Sequence, residues 1–278
     1  MAALFHLLAR LPLPLLHNLG ALLGCLVYLA SPTYRRHLKE NIEQAGLGAA
    51  RWAAVIEAGK SIIELPKIWL RPQQEVASRI VRVSDWELVE AAWADHRAIL
   101  FLTPHLGCFE ITAQYYAVRR PITVLYREPK QAWLRPLVKT GRGAHVHLAP
   151  ADLGGVRRLM KALKQQQAIG MLPDQVPGLG EGLWAPFFGR PAYTMSLAAR
   201  LAESGATVLF AYAERLPYGA GYHLQFFPLS KPLAGSLDQR VAQLNGELEA
   251  MVRRCPAQYL WGYNRYKVPA GARPPPQT

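Results

Sequence analysis

Residues Ala98–Tyr116 read AILFLTPHLGCFEITAQYY and pass from an extended run to a helix within a few positions. Ala98–Leu102 is a short unbroken apolar block, the pattern of a strand covered on both faces. Pro104 ends it, Gly107 supplies a turn, and a helical run follows. A strand leading straight into a helix is the unit of an α/β sheet, and its recurrence downstream decides the fold class. Further candidate strands are Ile122–Tyr126, His145–Leu148, Ala168–Leu172, Thr207–Ala213 and Tyr222–Phe227. Helical patterns lie between and after them. Gly155–Gln167 carries Val156, Leu159, Met160 and Leu163 on one side and Arg157, Arg158, Lys161 and Lys164 on the other. Asp238–Arg254 places Val241, Leu244, Leu248 and Val252 on one stripe, with Asp238 as its expected cap. The expectation is an α/β domain with a central mixed sheet flanked by helices, preceded by an N-terminal hydrophobic helix.

The same stretch holds the sharpest chemical signal. His105 stands at the carboxyl end of a strand, where open α/β sheets bind their ligands. Glu110 follows five residues later, in the first turn of the next helix. From there its carboxylate is expected to reach one imidazole nitrogen and leave the other facing the end of the sheet. A carboxylate so placed fixes the tautomer and stabilises the imidazolium formed when the ring accepts a proton. No Ser or Cys nucleophile is needed if the substrate brings its own hydroxyl. Spacing alone decides little: eight histidines and 19 acids in 278 residues make such a pair common by chance, and His147/Asp152 repeats it. Context separates the two, since His147 falls inside a strand and Asp152 in a Pro- and Gly-containing loop.

A second strand end, Ala168–Leu172, runs into Asp174-Gln175. A Pro- and Gly-rich loop follows, carrying Trp184, Phe187 and Phe188 as an apolar group able to line a lipid or acyl pocket, then Thr194 as an expected N-cap. Gly178, Gly180 and Gly182 lack the strand-to-helix context of a dinucleotide fingerprint, and no Walker sequence exists. No cofactor or metal is expected.

Composition narrows the partners. Apolar residues make up 51% and charged residues 18%, which excludes disorder and suits a partly greasy surface. Lys and Arg number 32 against 19 Asp and Glu, a net charge of +13, so an anionic partner is expected. Nine of the basic residues and two of the acids fall between Arg127 and Lys164. No helix-turn-helix, RNA-binding or zinc pattern points to nucleic acid. Cys25, Cys108 and Cys255 are far apart, which excludes a disulfide scaffold and suits a reducing compartment. Leu11–Ala30 is uncharged and barely long enough to span a bilayer. Arg35, Arg36 and Lys39 follow it, which keeps the bulk of the chain cytoplasmic. A cleaved signal peptide would carry its basic residues before the run, and a buried core helix remains an alternative. The expected organisation is a membrane-anchoring segment at 1–34, spanning or lying in the interface, a catalytic domain at 35–268, and a Pro-rich tail at 269–278.

Taken together, these motifs resemble the late acyltransferases of lipid A biosynthesis, part of the wider group with a His-x4-Asp/Glu motif. The resemblance covers most of the chain. YRRHLKENIEQAG after the apolar run, TPHLGCFE, VLYREPK with Arg142 beyond it, LPDQ with PFFGRPAYT, and QYLWGYNRYK appear in the family's order. The resemblance implies a glycerolipid-acyltransferase-like fold, with His105 as general base and Glu110 as its partner. It implies Arg142 and Asp174 as further active-site positions; with Arg127 for sugar phosphates or an acidic carrier protein, and Gln175, Phe187 and Phe188 from the second strand end and its aromatic loop, these make the expected substrate-binding set. The implied reaction moves a fatty acyl chain from acyl carrier protein to a hydroxyl of a lipid A precursor, on the cytoplasmic face of the bacterial inner membrane. Transfer to another membrane lipid (a lysophospholipid, aminolipid or glycolipid) would use the same chemistry. A non-catalytic binder of anionic membranes would use the charge alone.

Overall fold

The computed structural model describes residues 2–129, 131–141 and 146–275. The chain runs α1 (Ala2–Arg10), α2 (Leu13–Ala30), α3 (Pro32–Gln44), α4 (Arg51–Ile63), α5 (Leu65–Leu70), α6 (Gln73–Ala77), β1 (Ile80–Ser84), α7 (Glu87–Ala94), β2 (Ile99–Leu102), α8 (Phe109–Ala117), β3 (Ile122–Tyr126), α9 (Leu134–Gly141), β4 (Val146–Pro150), α10 (Leu153–Lys164), β5 (Ala168–Met171), β6 (Gly182–Phe187), β7 (Arg190–Met195), α11 (Leu197–Ala202), β8 (Thr207–Arg215), β9 (Tyr222–Pro228) and α12 (Leu237–Arg254).

Seven strands form one sheet in the order β1-β9-β8-β2-β5-β3-β4. The run from β8 to β4 is parallel, β9 pairs antiparallel with β8, and β1 runs parallel to β9. The sheet is therefore mixed, as expected. Every residue of β2 is buried, because alternate side chains feed two cores. Leu100 and Leu102 enter one with α10, α11 and α12. Ile99 and Phe101 enter the other with α8. The result is a three-layer α/β/α body whose parallel strands share one carboxyl edge.

Several expectations change in detail. β1 is a short edge strand in which a charged Arg82 interrupts the apolar run. The aromatic loop is a hairpin of β6 and β7, turned by Phe188 and Gly189 at φ 47° and 73°. Two consecutive positive φ values match the twist of flanking strands. Thr194 is not an N-cap: it lies in β7, and its Oγ1 accepts hydrogen bonds from Asn245 and Arg265. Helix α12 is capped by Ser236 instead of Asp238, since a capping box with Gln239 satisfies two backbone donors at once. Helix α10 begins two residues earlier than expected because Asp152 accepts from the Gly155 amide.

The N-terminal helices are packed against the body. Helix α2 lies along α4, and the seam is closed by Gly20 and Gly24 facing Gly59, where an added Cβ would run into the opposite backbone. His17 on α2 meets the buried Glu64 at 3.1 Å. Lys67 donates to the carbonyl of Ala9 at the end of α1. The outer face of the same helices is bare: Leu15, Leu19, Leu22, Leu26 and Leu29 on α2, with Leu4 and Leu7 on α1, are exposed. Among the described residues, α2 is the helix long and apolar enough to cross a membrane, and a third of it is buried.

Candidate active site

His105 is reached by following β2 past its carboxyl end. Parallel pairing sets Leu102 beside Met171 on β5. The backbone bond from Thr103 to the Met171 carbonyl carries the register one step further. Both chains then meet a proline, Pro104 and Pro173, which stops the ladder but not the alignment. Three residues beyond the Leu102–Met171 pair stand His105 and Asp174. A single carboxylate there holds both the backbone and the ring. Asp174 Oδ2 accepts from the His105 amide at 2.9 Å, and Oδ1 accepts from ring Nδ1–H at 2.8 Å. The side chain of Gln175 meets the other ring nitrogen, with Nε2 3.0 Å from His105 Nε2. The imidazole is 12% exposed, against 3% for Asp174, so the ring reaches solvent while its carboxylate partner does not.

The ring's hydrogen bonds thus come from Asp174 and Gln175, not from Glu110. The loop between His105 and α8 explains the change. Gly107 adopts φ 62°, its amide donates to the Gln258 carbonyl, and Cys108 donates to Ala213. An added Cβ at Gly107 would collide with the Ala213 backbone. This pinned turn lays the imidazole against the ring of Phe109, 4.7 Å between centroids, and turns its nitrogens toward β5. Glu110, one position round the helix, faces the wall of a cleft.

Electrostatics keep Asp174 ionised. Burial alone would raise its carboxyl, but the charge and the hydrogen bonds of His105 outweigh that, and the net shift is downward. Tyr259 is pushed well above its usual range by burial and by the Asp174 charge it faces. Cys108 is no rival nucleophile: burial, then the nearby Glu64 charge, push its thiol far up, and a thiol without thiolate character is inert. Among the described residues, no group of three or more His, Cys, Asp or Glu side chains converges to hold a metal ion.

The cleft opens beside His105. Thr103, Phe109 and Glu110 line it next to the imidazole, with Phe109 the ring that His105 packs on, and Ile122, Val146, Tyr116 and Phe226 complete its walls. It is narrow, with about 620 Å³ of empty space counting the open mouth. From the level of Leu172 to that of Ile122 is four strand steps, about 13 Å. Gly170 leaves room midway: a Cβ there would stand 3.3 Å from a methyl of Val124. The lining is apolar except for Thr103, Glu110, Thr112 and Gln114.

Other expected site residues scatter. Arg127 is exposed just beyond β3. Arg142 lies outside the described residues. Phe187 and Phe188 do not line the cleft. They are buried in the core around α12, with Phe188 against Trp261 at 5.9 Å, because the hairpin packs them inward. The closing segment, for which the sequence offers no role, builds the wall behind His105. Leu260 donates to the His105 carbonyl, Tyr263 Oη accepts from the Val176 amide, and Asn41 on α3 donates to the carbonyls of Trp261 and Tyr263. Two motifs more than 200 residues apart thus meet at the site.

Comparison with known proteins agrees with this arrangement over nearly the whole chain. The family described as bacterial lipid A biosynthesis acyltransferase matches residues 1–268. The lipid A biosynthesis lauroyltransferase of Escherichia coli (strain K12) is 25% identical over 94% of this chain and 88% of its own length. The palmitoleoyltransferase of the same organism is 26% identical over 93% and 87%. A lipid A biosynthesis acyltransferase of Shigella flexneri gives the same figures as the latter. A chain matched along this length, with a paired histidine at the carboxyl edge of its sheet and an apolar cleft beside it, belongs to the bacterial lipid A biosynthesis acyltransferase family.

Proposed function

We propose that this acyltransferase moves a fatty acyl chain from the thioester of acyl carrier protein to a hydroxyl of a lipid A precursor, with His105 as general base and Asp174 as its orienting partner. The observation that carries the reading is the Nδ1–Asp174 hydrogen bond at 2.8 Å beside the mouth of an apolar cleft. With Nδ1–H held by an ionised carboxylate, Nε2 is the nitrogen that accepts a proton. The acceptor hydroxyl gives its proton to Nε2 as its oxygen bonds to the thioester carbonyl carbon. The tetrahedral intermediate collapses, the carbon–sulfur bond breaks, and the imidazolium returns the proton to the departing thiolate. Asp174 stabilises the imidazolium in between. The acyl chain lies in the cleft between α8 and the sheet, where apolar walls exclude water from it.

Charge supports the choice of partners. Helix α10 starts at the same edge of the sheet and exposes Arg157, Arg158, Lys161 and Lys164, with Leu153 79% exposed at its start. That face suits an acidic carrier protein, while Arg127 suits the phosphates of an anionic glycolipid. The bare leucine face of α1 and α2 rests in the cytoplasmic leaflet of the inner membrane. It lies along the bilayer, since the opposite face is held by α4 and Glu64.

The test is His105→Ala, assayed for transfer of a dodecanoyl chain from its carrier-protein thioester to a lipid A precursor. Transfer should fall by at least about a hundredfold, the lower end of general-base contributions, in a variant that still folds but melts lower because the buried Asp174 loses its ring partner. Retained transfer in a folded variant would refute the reading.

A further inference from the structure

Both ring nitrogens of His105 are engaged by protein groups, and the two engagements differ in kind. Asp174 accepts the proton of Nδ1 and fixes the tautomer. Nε2 therefore presents a lone pair, and the group 3.0 Å away is the amide nitrogen of Gln175, a donor. The nitrogen that must take the acceptor's proton is thus already accepting one hydrogen bond, from a side chain standing where the acceptor's hydroxyl has to stand. Gln175 has the freedom to leave. It is half-buried on the segment after β5, and among the described residues its side chain makes no other hydrogen bond. Asp174 next to it has no such freedom, being buried and doubly bonded to His105.

We propose that Gln175 is a positioning residue that holds the acceptor's place on His105 Nε2, and so sets how the enzyme partitions its acyl thioester between the acceptor lipid and water. The proposal rests on the acyl-transfer reading above. Water is small and abundant, and a free lone pair on a base beside a bound thioester would activate it. The water oxygen would bond to the carbonyl carbon, its proton would pass to Nε2, the carbon–sulfur bond would break, and a free fatty acid and a thiol would leave. The amide of Gln175 denies water that lone pair. An acceptor lipid anchored by its own contacts presents its hydroxyl at high effective concentration and displaces the amide, which is lost at the modest net worth of one neutral hydrogen bond.

Two substitutions separate this role from a merely structural one. Gln175→Ala uncovers Nε2. Gln175→Glu keeps the shape but offers an acceptor, so Nε2 must carry a proton to meet it. Each variant is assayed with a dodecanoyl carrier-protein thioester, following thiol release without acceptor and acyl transfer with it. In Gln175→Ala, acceptor-free hydrolysis should rise about five- to tenfold, the equivalent of one hydrogen bond, and the ratio of transfer to hydrolysis should fall accordingly. In Gln175→Glu both reactions should fall, and the acid limb of the pH–rate profile should move to higher pH. An unchanged transfer-to-hydrolysis ratio in Gln175→Ala, or an unmoved profile in Gln175→Glu, overturns the proposal. Failure of the acyl-transfer reading itself looks different: His105→Ala would then keep its transfer activity.

Discussion

Asp174 carries the heaviest burden of any side chain near the base, and its weight is measurable against Glu110. Asp174→Asn preserves shape and burial, but its amide can offer a donor to Nδ1 and favour the wrong tautomer. A loss in kcat of about a thousandfold or more is expected from comparable swaps. Glu110→Gln changes a side chain on the cleft wall that does not bond the ring, and should cost less than Asp174→Asn. Initial rates on the same thioester decide between them, and a larger loss in Glu110→Gln would reverse the assignment. His105 was legible in the sequence because a strand, a proline and a helix bracket it. Asp174 was named only through the resemblance and without its bond to the ring, because spacing along the chain cannot see a neighbour 69 positions away. A signal was present in the repeated ending: TPH after β2 and LPD after β5 are two strands of equal reach, each stopped by proline. Reading them as adjacent parallel strands would have set His105 beside Asp174. Phe187 and Phe188 were misread for the opposite reason, since a cluster of aromatics looks the same in a sequence whether it lines a pocket or fills a core.

Helix α2 shows how far an apolar run can be read. Its length and lack of charge allowed a span, an interfacial helix or a core helix, and the structure shows one face packed into the core and the other a bare row of leucines. The glycines decided this, as Gly20 and Gly24 admit the backbone of α4 to contact, and nothing in the helix's own sequence names Gly59 as their counterpart. If the bare face lies in a bilayer, Leu22→Asp with Leu26→Asp should leave the seam and the melting temperature unchanged. Each buried leucine side chain is worth about 1.5–3 kcal/mol, so cosedimentation with anionic phospholipid vesicles should fall more than tenfold. A spanning α2 predicts something else, namely that the native protein stays in the membrane pellet after alkaline carbonate extraction. That result would exclude the flat orientation. The strands and the two longest helices of the body were read to within a few residues (His145, the expected start of β4, lies outside the described residues), because continuous apolar blocks and amphipathic stripes have different periods. β1 escaped because its interior carries the charged Arg82, and β6 and β7 because their Gly and Pro content imitates a loop.

Across the molecule, the N-terminal helices and the catalytic body are joined by one buried electrostatic cluster. Arg215, at the end of β8, donates to both oxygens of Glu64 and to Glu57, while Tyr222 and His17 complete the shell around Glu64. Gln258 bonds the backbone of Arg215 at both its amide and its carbonyl, which links this cluster to the segment behind His105. Burial alone would raise Glu64. Arg215 reverses that, with help from His17, and the carboxyl falls from its ordinary 4.5 to about 2. A carboxylate whose folded value lies below its unfolded one stabilises the fold fully above the unfolded value, and that contribution is lost as pH falls through the folded value. The window here is pH 4.5 down to about 2. Glu64→Gln removes the charge and leaves Arg215 buried with Glu57 alone, a broken pair worth about 3 kcal/mol or more. For a chain of this size that corresponds to roughly 5 °C in melting temperature at pH 7. Between pH 4.5 and 2 the native protein should lose stability more steeply than Glu64→Gln, so the two curves converge toward acid. Thermal melts across that range check it: parallel curves would mean that Glu64 does not hold its charge in the fold, and the cluster would then not be what binds the N-terminal helices to the sheet.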